Sequence, residues 1–203
     1  MKKLLISLTI ILNFFSFAKA NDISDFQIEG FSLYESLLNY FSRDKIEEEI
    51  NSKWSLTYND IFVQIGVGYA TEFPLSKKLK NYDEVTLVLR QNDKNYKIFS
   101  IAGKKFCEDK QKCLILLENI SKDLKTFFSD EVAIEEYEEK HQGDKTGKSM
   151  TYNTRFKMLS SGDFLEVSFY DWSKKMEDEK EWKDNIKVII HSNEFNDFLK
   201  TYY

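Results

Sequence analysis

Apolar residues recur at every second position in several short runs of this chain. Ile61, Val63, Ile65 and Val67 alternate, as do Tyr152, Thr154, Phe156 and Met158 against Asn153, Arg155 and Lys157. After the turn Ser160-Ser161-Gly162-Asp163, Leu165, Val167 and Phe169 alternate back. Successive side chains of a strand point to opposite faces, so each run buries one face and wets the other. That pattern belongs to antiparallel sheets, because parallel strands are covered on both faces and read as unbroken apolar runs. Residues 85–89 and 96–101, on either side of the turn 91–95, read as a hairpin. Residues 186–191 form a further β-branched strand.

Helical spacing is clearest over 109–128, where Cys113, Leu117, Ile120, Leu124 and Phe127 share one face with charge opposite. A second helix is expected over 32–41, opened by the capping box Ser32-x-x-Glu35 and carried by Leu33, Leu37, Tyr40 and Phe41. Ser42 caps a following acidic piece through Ile46 and Ile50, and 193–203 reads as a closing helix. Residues 25–30 read as a short strand or leading arm, Pro74 lies in a loop, and 130–149 reads as a charged connection. The expected fold is α+β: an antiparallel sheet with helices packed on one face, a two-layer sandwich. Residues 21–203 form a single domain, with 130–149 as the place where a subdomain break would fall. Each half reads as strand, strand, strand, helix (60–128 and 150–203), although the two sequences do not match.

Lys2 and Lys3 precede an apolar stretch from Leu4 to Phe17, which ends in Ala18-Lys19-Ala20. This is the pattern of a secretory signal cleaved after Ala20. The apolar stretch is shorter than the roughly 20 residues a transmembrane helix needs. The expected location is therefore periplasmic or secreted, with no integral membrane segment in the mature chain. Removing three lysines takes the formal net charge from −5 to −8. Such a chain lacks the basic patch that nucleic-acid binding requires. With 17 Phe and 11 Tyr it has ample apolar material for a core, unlike a disordered chain. An envelope protein or a small ligand is left as the expected partner, and no motif calls for a cofactor.

Several candidate sites compete. Gln142-Gly143-Asp144-Lys145-Thr146-Gly147-Lys148-Ser149 ends in G-K-S, but three residues separate its glycines where a phosphate-binding P-loop needs four. It is a connecting loop, or a weak anion site built on Lys145 and Lys148. Glu138 and His141 could share one helix face and hold a divalent cation, but the ligand set is incomplete, so no metal site is assigned. Asp171-Trp172, with Tyr170 before it and Trp182 ten residues after Trp172, would suit a carbohydrate or peptide surface. The candidate ligand-binding residues are thus His141, Asp144, Lys145, Lys148, Asp171 and Trp172. His191 ends a β-branched strand and reads as structural. Neither G-x-S-x-G nor H-E-x-x-H occurs.

Three blocks carry a resemblance. They are Asp25-Phe26-Gln27-Ile28-Glu29-Gly30 with Ser36-Leu37-Leu38-x-Tyr40; His141-x-x-Asp144-Lys145-Thr146-Gly147-Lys148-Ser149; and Tyr170-Asp171-Trp172-Ser173 with Ser192-Asn193-Glu194-Phe195. Together with the signal, the chain resembles small uncharacterised exported proteins of AT-rich marine alphaproteobacteria. That resemblance implies no activity and transfers no site residue. Two functional readings follow: a non-enzymatic module that binds a ligand or partner, and a hydrolase with a novel site near His141, Asp144 and Asp171.

Cys107 and Cys113 complete the sequence-level picture. On one continuous helix they would lie about 9 Å apart along the axis, too far to bridge. A disulfide therefore places Cys107 before the helix and Cys113 in its first turns. Closing so short a loop contributes about 2.4 kcal/mol in the chain-entropy treatment. Replacing both cysteines by serine should lower the unfolding free energy by about that amount, read as a lower urea midpoint with unchanged slope.

Overall fold

The computed structural model describes residues 23–68, 75–128 and 132–202, so the expected signal segment lies outside the described residues. Eight antiparallel strands form one sheet: β1 (Leu56–Tyr58), β2 (Phe62–Val67), β3 (Glu84–Arg90), β4 (Ile98–Phe106), β5 (Val132–Lys140), β6 (Met150–Met158), β7 (Phe164–Asp171) and β8 (Asn185–His191). Their order across the sheet is β1-β2-β3-β4-β8-β7-β6-β5. Two four-stranded meanders are thus joined edge to edge by an antiparallel β4–β8 ladder, and the sheet is continuous across the middle of the chain.

Among the described residues four α-helices accompany the sheet: α1 (Arg43–Ile50), α2 (Lys110–Phe127), α3 (Lys174–Lys180) and α4 (Asn193–Tyr202). The α+β class and the antiparallel sheet agree with the periodicity. On the front face, α2 lies over β7 and β8, and α1 lies over β2. Cys113, Ile120 and Leu124 there share one core with Leu165, Val167, Phe169, Val188 and Ile190, the arm residue Phe26 packs on Phe127 and Phe128 at the end of α2, and the same core takes in Ile46, Val63, Ile65, Leu87 and Leu89. The fourth helix takes the back face. Its Phe195 joins Tyr58, Phe62, Val88 and Phe99 in a separate small core, with Phe198 and Tyr202 packed around them. A register shift between Val88 and Leu89 leaves Phe99 unpaired opposite β3, and Phe99 joins Val88 in that second core. A two-fold axis relating antiparallel β4 and β8 would put α2 and α4 on the same face, so the helices do not repeat as the meanders do.

Two local expectations are overturned, at 32–41 and 130–149. Residues 32–41 do not form an α-helix: only Leu37–Asn39 make a 3₁₀ turn, capped by Ser36. The Tyr34 N–H donates to Ile98 O, the Leu37 N–H to Tyr96 O, and the Ile98 N–H to Glu35 O. Tyr34 is left-handed, at φ 66°. Pairing with the β3–β4 hairpin satisfies backbone groups that a helix would have satisfied internally, so tertiary context outweighs local propensity. Of the two readings of residues 25–30 the structure has the leading arm: it follows a 3₁₀ turn, Ile23–Asp25, and makes a single bridge between Ile28 and Phe31. The charged stretch 130–149 contains β5, paired with β6 along its whole length. As an edge strand, β5 is exposed on much of both faces, and its glutamates discourage pairing with another chain. Glu138 and His141 therefore share no helix face.

Cys107 precedes α2 and Cys113 lies in its second turn, joined as a disulfide with Cα atoms 6.1 Å apart. Asp109 caps the helix by accepting the Lys112 N–H. On the neighbouring strand, Gly103 leaves room for the buried ring of Tyr82: a Cβ built there would come within 2.6 Å of it. Gly103→Ala should therefore destabilise the protein by about 1–3 kcal/mol through overpacking, measured by urea unfolding, whereas Ala102→Gly at the adjacent position should cost less.

Candidate functional site

The loop between β5 and β6 is built around one carboxylate. Asp144 is 3 % exposed. Its Oδ1 accepts the Thr146 N–H (2.9 Å) and hydroxyl (2.7 Å), and its Oδ2 accepts the Ser149 N–H (3.0 Å) and the hydroxyls of Ser149 (2.6 Å) and Ser173 (2.9 Å). The Ser149 and Thr146 hydroxyls, foremost among these donors, hold its carboxyl far below the usual carboxylate range. The Ser173 bond ties the loop to the start of α3. With every lone-pair direction taken, Asp144 is an anchor for the loop and has no capacity left as a general base. The G-K-S resemblance thus ends in a knot around an aspartate, which is no cradle for phosphate. Lys145 and Lys148 point to solvent and make no ion pair among the described residues.

What this anchor positions is His141. Its N–H closes the β5–β6 hairpin on Ser149 O, and its ring Nδ1 accepts the Gly143 N–H at 3.0 Å, which leaves the imidazole proton on Nε2. The ring centre lies 4.4 Å from Trp172, 5.7 Å from Tyr170 and 6.2 Å from Trp182. Trp172 and Trp182 lie 4.5 Å apart. Burial, with a smaller contribution from Lys187, lowers the His141 pKa and keeps it neutral. Four rings from three segments thus converge: the β5–β6 loop, the end of β7, and the loop between α3 and β8. Glu181 makes the last part of this possible, since its left-handed conformation (φ 57°) ends α3 immediately before Trp182. Asp184 accepts the Trp172 N–H at 2.7 Å and fixes the other end of that loop.

Of the sequence candidates, His141, Asp144 and Trp172 come together, while Asp171 is separated from them. Period-two alternation sends Asp171 to the front face with Phe169, where it pairs with Lys110 at the start of α2. Tyr170 and Trp172 are on the other side.

The back face next to the rings carries side chains that the sequence reading did not single out. Cross-strand register sets them in rows: Lys104, Lys187, Ser168, Asn153 and Tyr137 in one, and Asn185, Tyr170, Thr151 and Glu139 in the next. Lys187 Nζ lies 4.4 Å from the centre of the Tyr170 ring. Glu166 is engaged by Arg155 Nε (2.7 Å), the Tyr137 hydroxyl (2.7 Å) and the Ser168 hydroxyl (3.1 Å). Burial holds the Tyr170 phenol neutral by raising its pKa. The sequence signal for Lys187 was present, as a lone cation inside a β-branched strand, but only register shows which neighbours it meets.

An open groove of about 630 Å³ lies on the front face between α2 and β5–β6. Leu114, Leu117 and Tyr152 line it, and the Lys125–Glu136 ion pair stands at its rim. Among the described residues no three of His, Cys, Asp and Glu gather closely enough to hold a metal ion.

The other histidine supplies a test of the electrostatics. His191 lies between the rings of Phe164 (5.1 Å) and Phe195 (5.3 Å), and its Nδ1 is buried without a hydrogen-bond partner. Burial, aided by the charges of Arg155 and Lys187, pushes its pKa down to about 3. The unfolded chain takes up that proton near pH 6.5, so stability is steady above this pH and falls as pH drops toward 3. Asp144 adds a separate loss at lower pH, below the unfolded aspartate value of about 3.9. His191→Phe should remove most of the loss of urea midpoint between pH 7 and pH 4.5, the remainder belonging to His141, and leave the steeper acid limb intact. Comparison of the chain with protein-family models, with curated proteins and with solved structures finds no match, so the chemistry of this site rests on its own geometry.

Proposed function

We propose that this chain is an exported, non-enzymatic binding protein whose ligand docks on the aromatic cluster of His141, Tyr170, Trp172 and Trp182. The observation that carries this reading is the convergence of four rings on one patch, held by a carboxylate committed entirely to positioning the loop. Aromatic residues with a polar edge provide large contact area at small entropic cost and are common anchors of recognition surfaces. Trp182 remains 37 % exposed, so part of the cluster faces solvent. The hydrolase alternative has less support, since Asp144 is saturated with donors and Asp171 is neutralised by Lys110 on the opposite face. Among the described residues no helix is long and apolar enough to cross a membrane. The export half of the proposal rests on the pattern ending at Ala20.

Two measurements test it. N-terminal sequencing of the protein recovered from the envelope fraction should begin at Asn21. A thermal-shift panel of sugars, peptides and envelope polymers should identify a stabilising ligand. Trp182→Ala should then weaken its binding at least tenfold while moving the ligand-free unfolding midpoint little. A ligand bound equally well by Trp182→Ala, or a panel with no stabilising member, overturns the assignment.

A further inference from the structure

Three half-buried cations lie on the back face, Lys104, Arg155 and Lys187, and among the described residues only the last has no carboxylate. Lys104 pairs with Glu84 across the β3–β4 ladder, and Arg155 pairs with Glu166 across β6–β7. Lys187 lies between these pairs, with Lys104 beside it on one strand and Ser168 on the other. No carboxylate among the described residues forms an ion pair with it, and its contact is the face of Tyr170. A ring face offsets part of the cost of desolvating an ammonium but leaves its charge uncompensated. The side chain is only partly covered. In keeping with this geometry, burial lowers the Lys187 pKa, although Glu166 and Glu84 pull the other way.

From this arrangement we infer that Lys187 is the anchor for the carboxylate of a sugar acid whose ring lies against the neighbouring tryptophans. The inference rests on the binding role proposed above and specifies its ligand class. Tyr170 is the hinge of the argument, since it belongs to both groups: it is 5.7 Å from the Trp172 ring and lies under the lysine. A pyranose packed on an aromatic face leaves a ring carboxylate at its rim, where the ammonium can meet it. Charge selects a monoanion. One unmatched positive charge suits one carboxylate, whereas a phosphate dianion would add surplus negative charge close to Glu166, Glu84 and Glu139. There is also no arginine fork free to hold a phosphate, because Arg155 is engaged by Glu166 and by the Tyr137 hydroxyl.

The test uses the mature protein with glucuronate, glucose and inorganic phosphate as probes, following tryptophan fluorescence. Glucuronate should bind at least tenfold more tightly than glucose, and phosphate should not compete with it at equal concentration. Lys187→Met should bring glucuronate down to the glucose level, while Lys187→Arg, which keeps the charge, should retain most of the preference. Circular dichroism and the urea midpoint confirm that each variant is folded. Equal affinities for the two sugars in the parent protein, or a preference that survives Lys187→Met, overturn the lysine anchor and leave the aromatic binding reading standing. Stronger binding of phosphate than of glucuronate overturns the choice of a monoanion. A protein that binds neither sugar but is stabilised by another ligand through Trp182 overturns the sugar acid alone, whereas loss of all Trp182-dependent binding removes both readings.

Discussion

The antiparallel ladder between β4 and β8 turns two meanders into one sheet, and the rest of the molecule depends on its register. Ser100 pairs with His191, Ala102 with Ile189, and Lys104 with Lys187. Because side chains alternate across a strand, this register sends Ile101, Val188 and Ile190 together to the front, where the arm and α2 bury them. The same register sends Lys104, Lys187 and His191 together to the back. A slip of one residue would invert both sets at once, exposing the core and burying the charges. The pairing is therefore held by the hydrophobic effect on one face, while the other face is free to carry polar chemistry.

The two faces are organised by different forces. On the front, apolar burial and the Cys107–Cys113 disulfide fasten α2 over the second meander. On the back, α4 covers the first meander and the end of β8 through Phe195, and Asp163 holds its start by accepting the Asn193 N–H and the Tyr34 hydroxyl. The second meander carries instead the Arg155–Glu166 pair, Lys187 and the ring cluster. Asp144 performs at the β5–β6 loop what Asp163 performs at α4, since each is a buried carboxylate that accepts from at least one distant segment, Ser173 in the first case and Tyr34 and Asn193 in the second. Buried charges are tolerated only when so satisfied, and both here position loops.

Much of the architecture was legible in the sequence because period two and period 3.6 are local signals. The runs 61–67, 152–158 and 165–169, the helix over 109–128 and the placement of the two cysteines all followed from spacing. The strand 132–140 was not legible, because an edge strand covered on neither face has no apolar alternation to display. The non-helical course of 32–41 was hidden too. Its capping box and apolar spacing favour a helix, and only hydrogen bonds to Tyr96 and Ile98 outweigh them. For the site, His141, Asp144 and Trp172 were found as unusual residues, but their roles were not. Asp144 reads in the sequence as a chemical group and in the fold as a fastener.

The sequence by itself determined the class of fold, the partition of the alternating strands into a wet and a dry face, and the absence of familiar catalytic motifs. Those properties depend on the order of neighbouring residues, which a strand or helix converts directly into direction in space. Tertiary structure alone decided that Asp171 leaves the site while Tyr170 and Trp182 enter it, that α2 and α4 take opposite faces, and that Lys187 meets no ionic partner among the described residues. These depend on cross-strand register and on loop closure between residues tens of positions apart. No local periodicity encodes such pairings, because they are chosen by which distant segments bury the most apolar surface against one another.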